Sequence, residues 1–371
     1  LGAGDLDLRR RAGSLTNAQQ QLVEIARALV GAPKVLVLDE PTSSLTTQEV
    51  ERLFAVIRDL AAQGVAVVYI SHFLEEVQAV CQRYTVLRDG ASVGSGTVAG
   101  TPVTELISTM VGRAVTDIYP RIPHQRGAPI LHLRDLAGRA KPRNASLTLH
   151  RGEILGIFGL IGAGRTEMAR ACFGLDPITA GRVELGGVDA TGRTPGAMLH
   201  AGVGLLSENR KEEGLLLDQS IADNLTLTRL GPYAIATLIR SAAQRKAAAT
   251  WVERLQIKVR DVDQPVGDLS GGNQQKVALA RLLHHDCAVF ILDEPTRGID
   301  IGAKTIIYQR IGDLAAAGKA VLMISSYLPE LLGVCDTIAA MCRGVLGEAR
   351  PAAAWTEAGL LAAAIGQEAA A

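Results

Sequence analysis

The feature that most constrains this chain is an internal repeat with a constant offset. The segment KVLVLDEPTSSL, which begins at Lys34, recurs as AVFILDEPTRGID from Ala288. Two further segments recur in the same way. The first copy has SLTNAQQQLVEIARAL where the second has DLSGGNQQKVALARLL, and it has VVYISHFLEEV where the second has VLMISSYLPEL. The offset is 254 positions at four landmarks: Asp39 and Asp293, Leu15 and Leu269, His72 and Ser326, Gly90 and Gly344. These matches, obtained without a shift, indicate two copies of one domain.

The first copy is predicted to lack its front portion. The second copy begins near Ile130 and contains a glycine-rich loop, GLIGAGRTE, from Gly159 to Glu167. The repeat offset puts the equivalent loop of the first copy before Leu1. We therefore expect the sequence to be a fragment of a chain longer by roughly a hundred residues or more.

Composition sets broad limits on the class of protein. At 371 residues and 48% hydrophobic content, the chain can bury two or more cores and is not wholly disordered. Basic and acidic residues balance at 38 each, so net charge does not argue for binding to nucleic acid or to an anionic membrane. The five cysteines have no C-x-x-C spacing, which favours a reducing compartment and gives no metal-site pattern. No apolar run reaches the ~18 residues needed to cross a bilayer.

Two apolar runs end in a pair of acids. VLVLD and VFILD are each predicted to be a central parallel strand, buried on both faces. Asp39–Glu40 and Asp293–Glu294 then lie at the edge of the sheet where open α/β folds bind ligands. In such a pair the first acid can orient Mg²⁺ and the second can polarise the water that attacks a γ-phosphate. An ordinary strand end with an acidic turn is the alternative, and the PT that follows both pairs argues against it.

The glycine loop reads as strand, turn and helix in EILGIFGLIGAGRTEM. Gly159, Gly162 and Gly164 allow backbone N–H groups to face an anion, and Thr166 is placed to reach Mg²⁺. A phosphate loop, G-x-x-x-x-G-K-[ST], would carry lysine where Arg165 stands. A guanidinium does not replace an ammonium between β- and γ-phosphates, so we expect this loop to bind ATP and to hydrolyse it poorly. Taken alone, GAGRT could also be a plain glycine turn.

A second helix start is predicted at LSGGNQQK, Leu269 to Lys276. Ser270 is a possible N-cap, and Gly271 and Gly272 would let the backbone approach an anion there. A simple serine–glycine cap is the alternative. The first copy has SLTNAQ instead, where Ala18 replaces a glycine and restricts the backbone φ angle.

His72 follows the strand VAVVYIS and could donate a hydrogen bond to a γ-phosphate oxygen. Its counterpart in the second copy, Ser326, offers only a hydroxyl. A lone histidine is often structural, but its position in the repeat favours a functional role.

These motifs resemble those of ATP-binding-cassette (ABC) ATPases: the signature LSGGNQQK, LDEPT twice, the glycine loop and ISH. More narrowly, GLIGAGRTE, QQQLVEIARAL, MVGR and ISS resemble the tandem ATPase subunit of bacterial monosaccharide ABC importers of the ribose/galactose/xylose type. The resemblance implies an α/β fold of two P-loop NTPase cassettes, the first truncated at its N-terminus. The implied domains are residues 1–96 for the end of the first cassette, 97–129 for a linker, 130–350 for the second cassette with a helical subdomain at 209–265, and 351–371 for a tail.

In such ATPases each ATP lies between the phosphate loop of one cassette and the signature helix of the other. The resemblance implies a working site in which Asp39 binds Mg²⁺, Glu40 positions water and His72 holds the γ-phosphate. This site would be closed by Ser270, Gly271, Gly272 and Gln274. The second site would face Thr16–Gln19, with Asp293 and Thr166 at Mg²⁺ and Glu294 as the catalytic carboxylate. Its implied nucleotide-binding residues are Gly159, Gly162, Ala163, Gly164, Arg165, Thr166 and Glu208, the last in place of a glutamine.

The resemblance further implies a translocase subunit that uses ATP and Mg²⁺ to energise sugar import. It would lie at the cytoplasmic face of the plasma (inner) membrane, with two membrane permease subunits, a periplasmic or extracellular sugar-binding protein and no nucleic acid. A soluble tandem ABC ATPase acting on ribosomes or nucleic acid is the alternative, which the scattered charges of residues 91–129 disfavour. A third alternative is a truncated product with little ATPase activity of its own, because no phosphate would be held before Glu40.

Overall fold

The computed structural model describes most of the chain as two compact units. The described residues are 7, 9–42, 45, 47–71, 73–88, 90–111, 119–209, 213–235, 238–299 and 301–367. Unit 1 comprises residues 1–116 with 300–302, and unit 2 comprises residues 117–299 with 303–371. His72 and part of the predicted linker, 112–118, lie outside the described residues. The domain boundaries drawn from the sequence stay predictions.

Unit 1 alternates helices and strands. Its helices are α1 (Asn17–Leu29), α2 (Thr47–Ala62), α3 (Leu74–Val80) and α4 (Val103–Val111). Its strands are β1 (Val35–Asp39), β2 (Ala66–Ile70), β3 (Arg83–Arg88) and β4 (Ala91–Thr97). β1 pairs with β2 in parallel, and β3 pairs with β4 in antiparallel. Helix α1 begins with a capping box, because Thr16 and Gln19 each accept the backbone N–H of the other.

The expectation that β1 is buried on both faces is wrong. Its side chains alternate, with Leu36 and Leu38 buried and Val35 and Val37 exposed by 58% and 60%. Leu36 and Leu38 pack with apolar residues of α1 and α2, such as Leu53. Among the described residues of unit 1, this core covers one face of the β1–β2 sheet, so alternate side chains remain in solvent.

Unit 2 is built around a larger sheet. Its helices are α5 (Arg165–Phe173), α6 (Pro195–His200), α7 (Ile221–Thr226), α8 (Ser241–Arg254), α9 (Gly271–His285), α10 (Ile301–Ala316), α11 (Leu328–Val334) and α12 (Glu357–Ile365). Of α10, residues 303–316 belong to unit 2. Its first strands are β5 (Pro129–Gly138), β6 (Ala145–His150), β7 (Ile154–Gly159), β8 (Ile178–Leu185), β9 (Val188–Asp189) and β10 (Val203–Leu206). The later strands are β11 (Ala234–Ile235), β12 (Leu238–Ile239), β13 (Val289–Asp293), β14 (Ala320–Ser325), β15 (Thr337–Cys342), β16 (Val345–Leu346) and β17 (Arg350–Pro351).

The central sheet of unit 2 has seven strands in the order β10-β13-β14-β7-β15-β16, with β17 also pairing to β15. The five strands from β10 to β15 run parallel. β13 is buried along its whole length, as its apolar sequence predicted. Parallel pairing brings the carboxyl ends of β7, β13 and β14 to one edge of the sheet, where the candidate site lies.

Two cores lie on the two faces of this sheet. One contains Phe290 and Leu292 of β13 with apolar residues of α9 and α10. The other contains Val289 and Ile291 of β13 with α5 and the antiparallel sheet β6-β5-β8-β9. The parallel α/β fold predicted from the sequence is therefore present in unit 2.

The predicted helical subdomain, 209–265, contains α7, α8 and the short hairpin β11–β12. Ile235, Leu238 and Ile239 of this hairpin are exposed. Within the described part of the chain, no helix is both long and apolar enough to cross a membrane.

Candidate functional site

The glycine loop connects β7 to α5 at the carboxyl edge of the central sheet. Gly162 and Gly164 have φ angles of 77° and 111°, which favour glycine. A Cβ atom on Gly159 would lie 2.7 Å from the carbonyl oxygen of Met341. Ala163, which is buried, donates its N–H to the oxygen of Leu160 at 2.9 Å. The loop thus leads directly into the N-terminus of α5, whose partial positive charge suits an anion.

Arg165, the first residue of α5, is paired with Glu294. The distance from Arg165 Nη2 to Glu294 Oε1 is 3.4 Å, and the two residues are only 8% and 7% exposed. The backbone N–H of Ser326 donates to the same carboxylate oxygen at 2.8 Å. Burial raises the pKa of Glu294 to about 7, although Arg165 lowers it; the carboxylates of Glu330 and Asp293 raise it further. Arg165, which stands where a phosphate loop would carry lysine, therefore contacts Glu294, the residue predicted to be the catalytic carboxylate.

Asp293, at the end of β13, is the second buried acid of the site. It is 2% exposed, and its Oδ1 has no hydrogen-bond partner among the described residues. Burial raises its pKa to about 6, and the Thr166 hydroxyl and Arg165 act in the opposite direction. Thr166 Oγ1 also donates to Glu208 Oε2 at 3.4 Å, and Glu208 is ion-paired with Arg297. Thr166 is thus flanked by two carboxylates.

This oxygen-rich corner fits Mg²⁺ held together with a phosphate. The described residues contain no cluster of three or more His, Cys, Asp or Glu able to hold a metal by themselves. Mg²⁺ commonly binds through one or two carboxylates and substrate phosphates, with water completing its octahedron. Asp293 and Thr166 supply such a partial set, and the unpartnered Oδ1 of Asp293 is available to it.

The second helix start, predicted from LSGGNQQK, coincides with the first residue of α9, Gly271. Ser270 occupies the N-cap position, but its side chain does not cap the helix, because its Oγ accepts from Asn273 Nδ2 at 3.0 Å. Gln274 is buried and donates to the Leu269 oxygen at 3.0 Å. Gly271 and Gly272 are the first two residues of α9. The hydrogen bonds of Ser270 and Gln274 are local, and the role of this segment in nucleotide binding stays a prediction.

Unit 1 contains the same acidic turn. Asp39 ends β1, and Glu40 has a φ angle of 43°, close to the 48° of Glu294. The N–H of Glu40 donates to the Ile70 oxygen at 2.9 Å, and Glu294 donates to its repeat equivalent, Ile324, at the same distance. The catalytic roles predicted for Glu40 and for His72, which lies outside the described residues, stay predictions.

Lys141 is a site residue that the motifs do not indicate. It lies between β5 and β6, and its Nζ donates to the carbonyl oxygen of Gly162 in the glycine loop. A Cβ on Gly164 would lie 3.1 Å from the Lys141 Cβ. The sequence signal is the basic turn GRAKPR, which by itself is typical of an exposed turn. The loop without a lysine at its seventh position therefore has an ammonium group beside it.

Comparisons with known proteins agree with these motifs. The family model described as ABC transporter matches residues 2–43 and 142–297. The chain is 44% identical over 366 residues to ribose import ATP-binding protein RbsA 2 of Streptomyces avermitilis, covering 99% of this chain and 72% of that protein. It is 45% identical to a putative ribose/galactose/methyl galactoside import ATP-binding protein of Burkholderia cenocepacia, covering 95% and 70% of the two chains.

Solved structures support the fold. The ADP conformation of MJ1267, an ATP-binding cassette of an ABC transporter, superposes with a TM-score of 0.53 at 21% identity. It covers 64% of this chain and 95% of that one. A dimeric post-hydrolysis state of the cassette MJ0796, bound to ADP and Pi, gives 0.53 at 20% identity and covers 60% and 99%. By its family-model match and its curated relatives, the chain belongs to the ABC transporter family.

Proposed function

We propose that this chain is the ATP-hydrolysing, energy-coupling subunit of a bacterial monosaccharide importer. The observation that carries the proposal is the cluster at the carboxyl edge of unit 2, where Thr166 and Asp293 lie beside a glycine loop that leads into a helix. A triphosphate requires such N–H groups and its Mg²⁺ requires such oxygens. The 44% identity to a ribose import ATP-binding protein supports sugar as the cargo class.

In unit 2 the residues present fit ATP with Mg²⁺. The loop from Gly159 to Gly164 would surround the phosphates, Thr166 and Asp293 would hold the metal, and Glu208 would lie beside it. The bound metal would neutralise phosphate charge. Arg165 would keep Glu294 paired, so that this carboxylate is less able to polarise an attacking water. We assign this pocket to nucleotide binding with slow turnover.

In unit 1 the proposed working residues are Asp39 for Mg²⁺, Glu40 for the attacking water and His72 for the γ-phosphate. The turn at Glu40 repeats the backbone of the turn at Glu294, which supports equivalent roles.

Unit 1 would need a strand–loop–helix segment equivalent to β7, the glycine loop and α5 of unit 2. In unit 2, β7 lies between β14 and β15 and pairs with both. The repeat equivalents of those two strands are β2 and β3. β2 pairs with β1 and β3 pairs with β4, and among the described residues no strand pairs with both β2 and β3. The exposed side chains of the β1–β2 sheet correspond to buried ones of unit 2: Val35 to Val289, Val37 to Ile291, Val68 to Leu322 and Ile70 to Ile324. In unit 2 these positions pack against the half that carries the glycine loop.

The proposed partners are two membrane permease subunits and a sugar-binding protein outside the cytoplasm. The subunit would lie peripherally at the cytoplasmic face of the plasma membrane. The exposed apolar hairpin β11–β12, with Ile235, Leu238 and Ile239, supports a docking surface for a permease in segment 209–265.

The test is complementation in a chimera. The front part of the Streptomyces avermitilis relative, up to its alignment with Leu1, would precede residues 1–371 and replace that relative in its own importer. ATP-dependent uptake of labelled ribose, abolished by Asp39→Asn, is the expected result. A folded chimera that binds ATP but co-purifies with ribosomes and gives no uptake would overturn the transporter assignment.

A further inference from the structure

A buried carboxylate in unit 2 gathers three hydroxyl groups. Glu330, on α11, is fully buried and accepts hydrogen bonds from Thr296 Oγ1 and Tyr308 Oη, each at 2.6 Å. Ser325 Oγ donates to its other oxygen. An ionised carboxylate only accepts hydrogen bonds, so three O–H donors compensate for a charge removed from water.

Unit 1 contains the same arrangement around Glu76, on α3. Thr42 Oγ1 donates to it at 2.5 Å, Ser71 Oγ at 2.7 Å and Tyr69 Oη at 2.8 Å. The glutamate, the threonine and the serine of the two units are related by the repeat offset.

The tyrosine is not related by that offset. Tyr69 lies on β2, and its equivalent in unit 2 is Met323. Tyr308 lies on α10, and its equivalent in unit 1 is Phe54, on α2. The third hydroxyl thus comes from a strand in one unit and from a helix in the other. Its presence in both, despite different origins, indicates that each carboxylate requires three donors.

The network connects the two segments that carry the proposed catalytic positions. Thr42 and Thr296 each follow the glutamate of their acidic turn by two residues. Ser71 and Ser325 directly precede His72 and Ser326, the positions proposed to face the γ-phosphate, which we call the switch positions. Each serine Oγ also accepts the N–H two residues further on, from Phe73 at 3.0 Å and from Tyr327 at 2.9 Å. In unit 2 the switch position, Ser326, therefore lies within a turn that is anchored on the buried Glu330.

In unit 2 the hydrogen-bond network extends to Glu294, the proposed catalytic carboxylate. Ser325 donates to Glu330, and the next residue, Ser326, donates its N–H to Glu294 at 2.8 Å. Thr296, which follows Glu294 by two positions, returns to Glu330. Glu294 and Ser326 are thus bonded to each other, and each has a nearby residue, Thr296 or Ser325, that is bonded to Glu330.

We propose that Glu76 and Glu330 are positioning residues, which hold the acidic turn and the switch turn of each unit in register for the γ-phosphate. The inference rests on the proposed nucleotide function of these turns. It predicts that loosening the network weakens recognition of the γ-phosphate more than recognition of the rest of the nucleotide.

The test uses the 371-residue chain and the pocket of unit 2. Dissociation constants of Mg·ATP and Mg·ADP would be measured for the parent chain, for Tyr308→Phe, and for Tyr308→Phe combined with Met323→Tyr. Tyr308→Phe should reduce the preference for ATP over ADP by about fivefold, as expected for one lost hydrogen bond. The double variant places the tyrosine as in unit 1 and should restore the preference to within about twofold.

Glu330→Gln provides a second variant of similar volume and should also reduce the preference, with folding checked by circular dichroism. Equal weakening of ATP and ADP, or an unchanged ratio in both Tyr308→Phe and Glu330→Gln, would overturn the positioning role. A parent chain that binds neither nucleotide would instead overturn the function proposed for this pocket, and the inference with it.

Discussion

Arg165 Nη2 lies 3.4 Å from Glu294 Oε1, so the first residue of α5 is paired with the acid that follows β13. Both side chains are buried, which makes the attraction stronger than that of a surface pair. The replacement of lysine in this phosphate loop therefore has two consequences. It removes the usual ammonium, and it engages the carboxylate that would polarise water.

Arg165→Lys should increase ATP turnover in the pocket of unit 2. An ammonium is more compact and suits the β- and γ-phosphates, and it would leave Glu294 more available to water. We expect about a tenfold faster phosphate release from the 371-residue chain, equivalent to about 1.4 kcal/mol in the barrier. Glu294→Gln added to Arg165→Lys should abolish the gain. A gain that survives Glu294→Gln would contradict the role of that carboxylate.

Gly159→Ala should weaken ATP binding by about tenfold or more, because its Cβ would lie 2.7 Å from the Met341 backbone oxygen and the loop would have to shift. Gly196→Ala is the matched control, since a Cβ there meets nothing within 4 Å. Equilibrium binding of a fluorescent ATP analogue would measure both. Equal affinities of the two variants would contradict the assignment of the loop.

Lys141→Ala should weaken Mg·ATP binding by roughly threefold to tenfold, because an ammonium beside the glycine loop attracts the triphosphate. The effect should decrease at high salt, because Lys141 is only half-buried and its charge can be screened. Lys246→Ala, at an exposed position on α8, is the control for loss of one positive charge. If both variants lose affinity alike, Lys141 contributes only to net charge.

His124 should make the stability of unit 2 depend on pH. Its Nδ1 lies 2.6 Å from the Ile122 oxygen and its Nε2 lies 2.9 Å from Asp336 Oδ2, so both ring nitrogens face acceptors. Burial alone would lower the pKa of His124, but its bonds to Asp336 and to Ile122 raise it above 6.5 on balance. The stabilisation is therefore fully present below pH 6.5 and is lost as pH rises through the higher folded pKa.

Thermal unfolding between pH 5.5 and 8.5 measures this effect. His124→Gln should flatten this part of the profile, whereas His200→Gln, whose ring contacts the Gly196 oxygen of its own helix, should leave it unchanged. A profile that His124→Gln does not alter would contradict the ion pair with Asp336.

The repeat and the motifs predict the parallel sheet of unit 2 because its apolar strands and glycine turn are local patterns. The burial of β1 could not be predicted in this way. VLVLD and VFILD are both apolar and share three of five residues, yet Val35 and Val37 are exposed because burial depends on neighbouring elements. The sequence of the strand alone does not show which elements will pack against each of its faces.

The contacts of the site depend still more on tertiary structure. Arg165 and Glu294 are distant in sequence, and the motif reveals the absent lysine but not the new partner. Tyr69 and Tyr308 serve equivalent carboxylates from positions that the repeat does not align. Sequence comparison between the two halves therefore finds the glutamate, threonine and serine of each network and misses its tyrosine.

The two units are proposed to differ in catalytic competence, and the most direct test compares Glu40→Gln with Glu294→Gln in the chimera. ATP turnover and ribose uptake would be measured for both variants at matched expression. Glu40→Gln should reduce turnover by at least ~100-fold, because it removes the group that activates water, and Glu294→Gln should cost less than about threefold. Equal losses in the two variants would contradict the account.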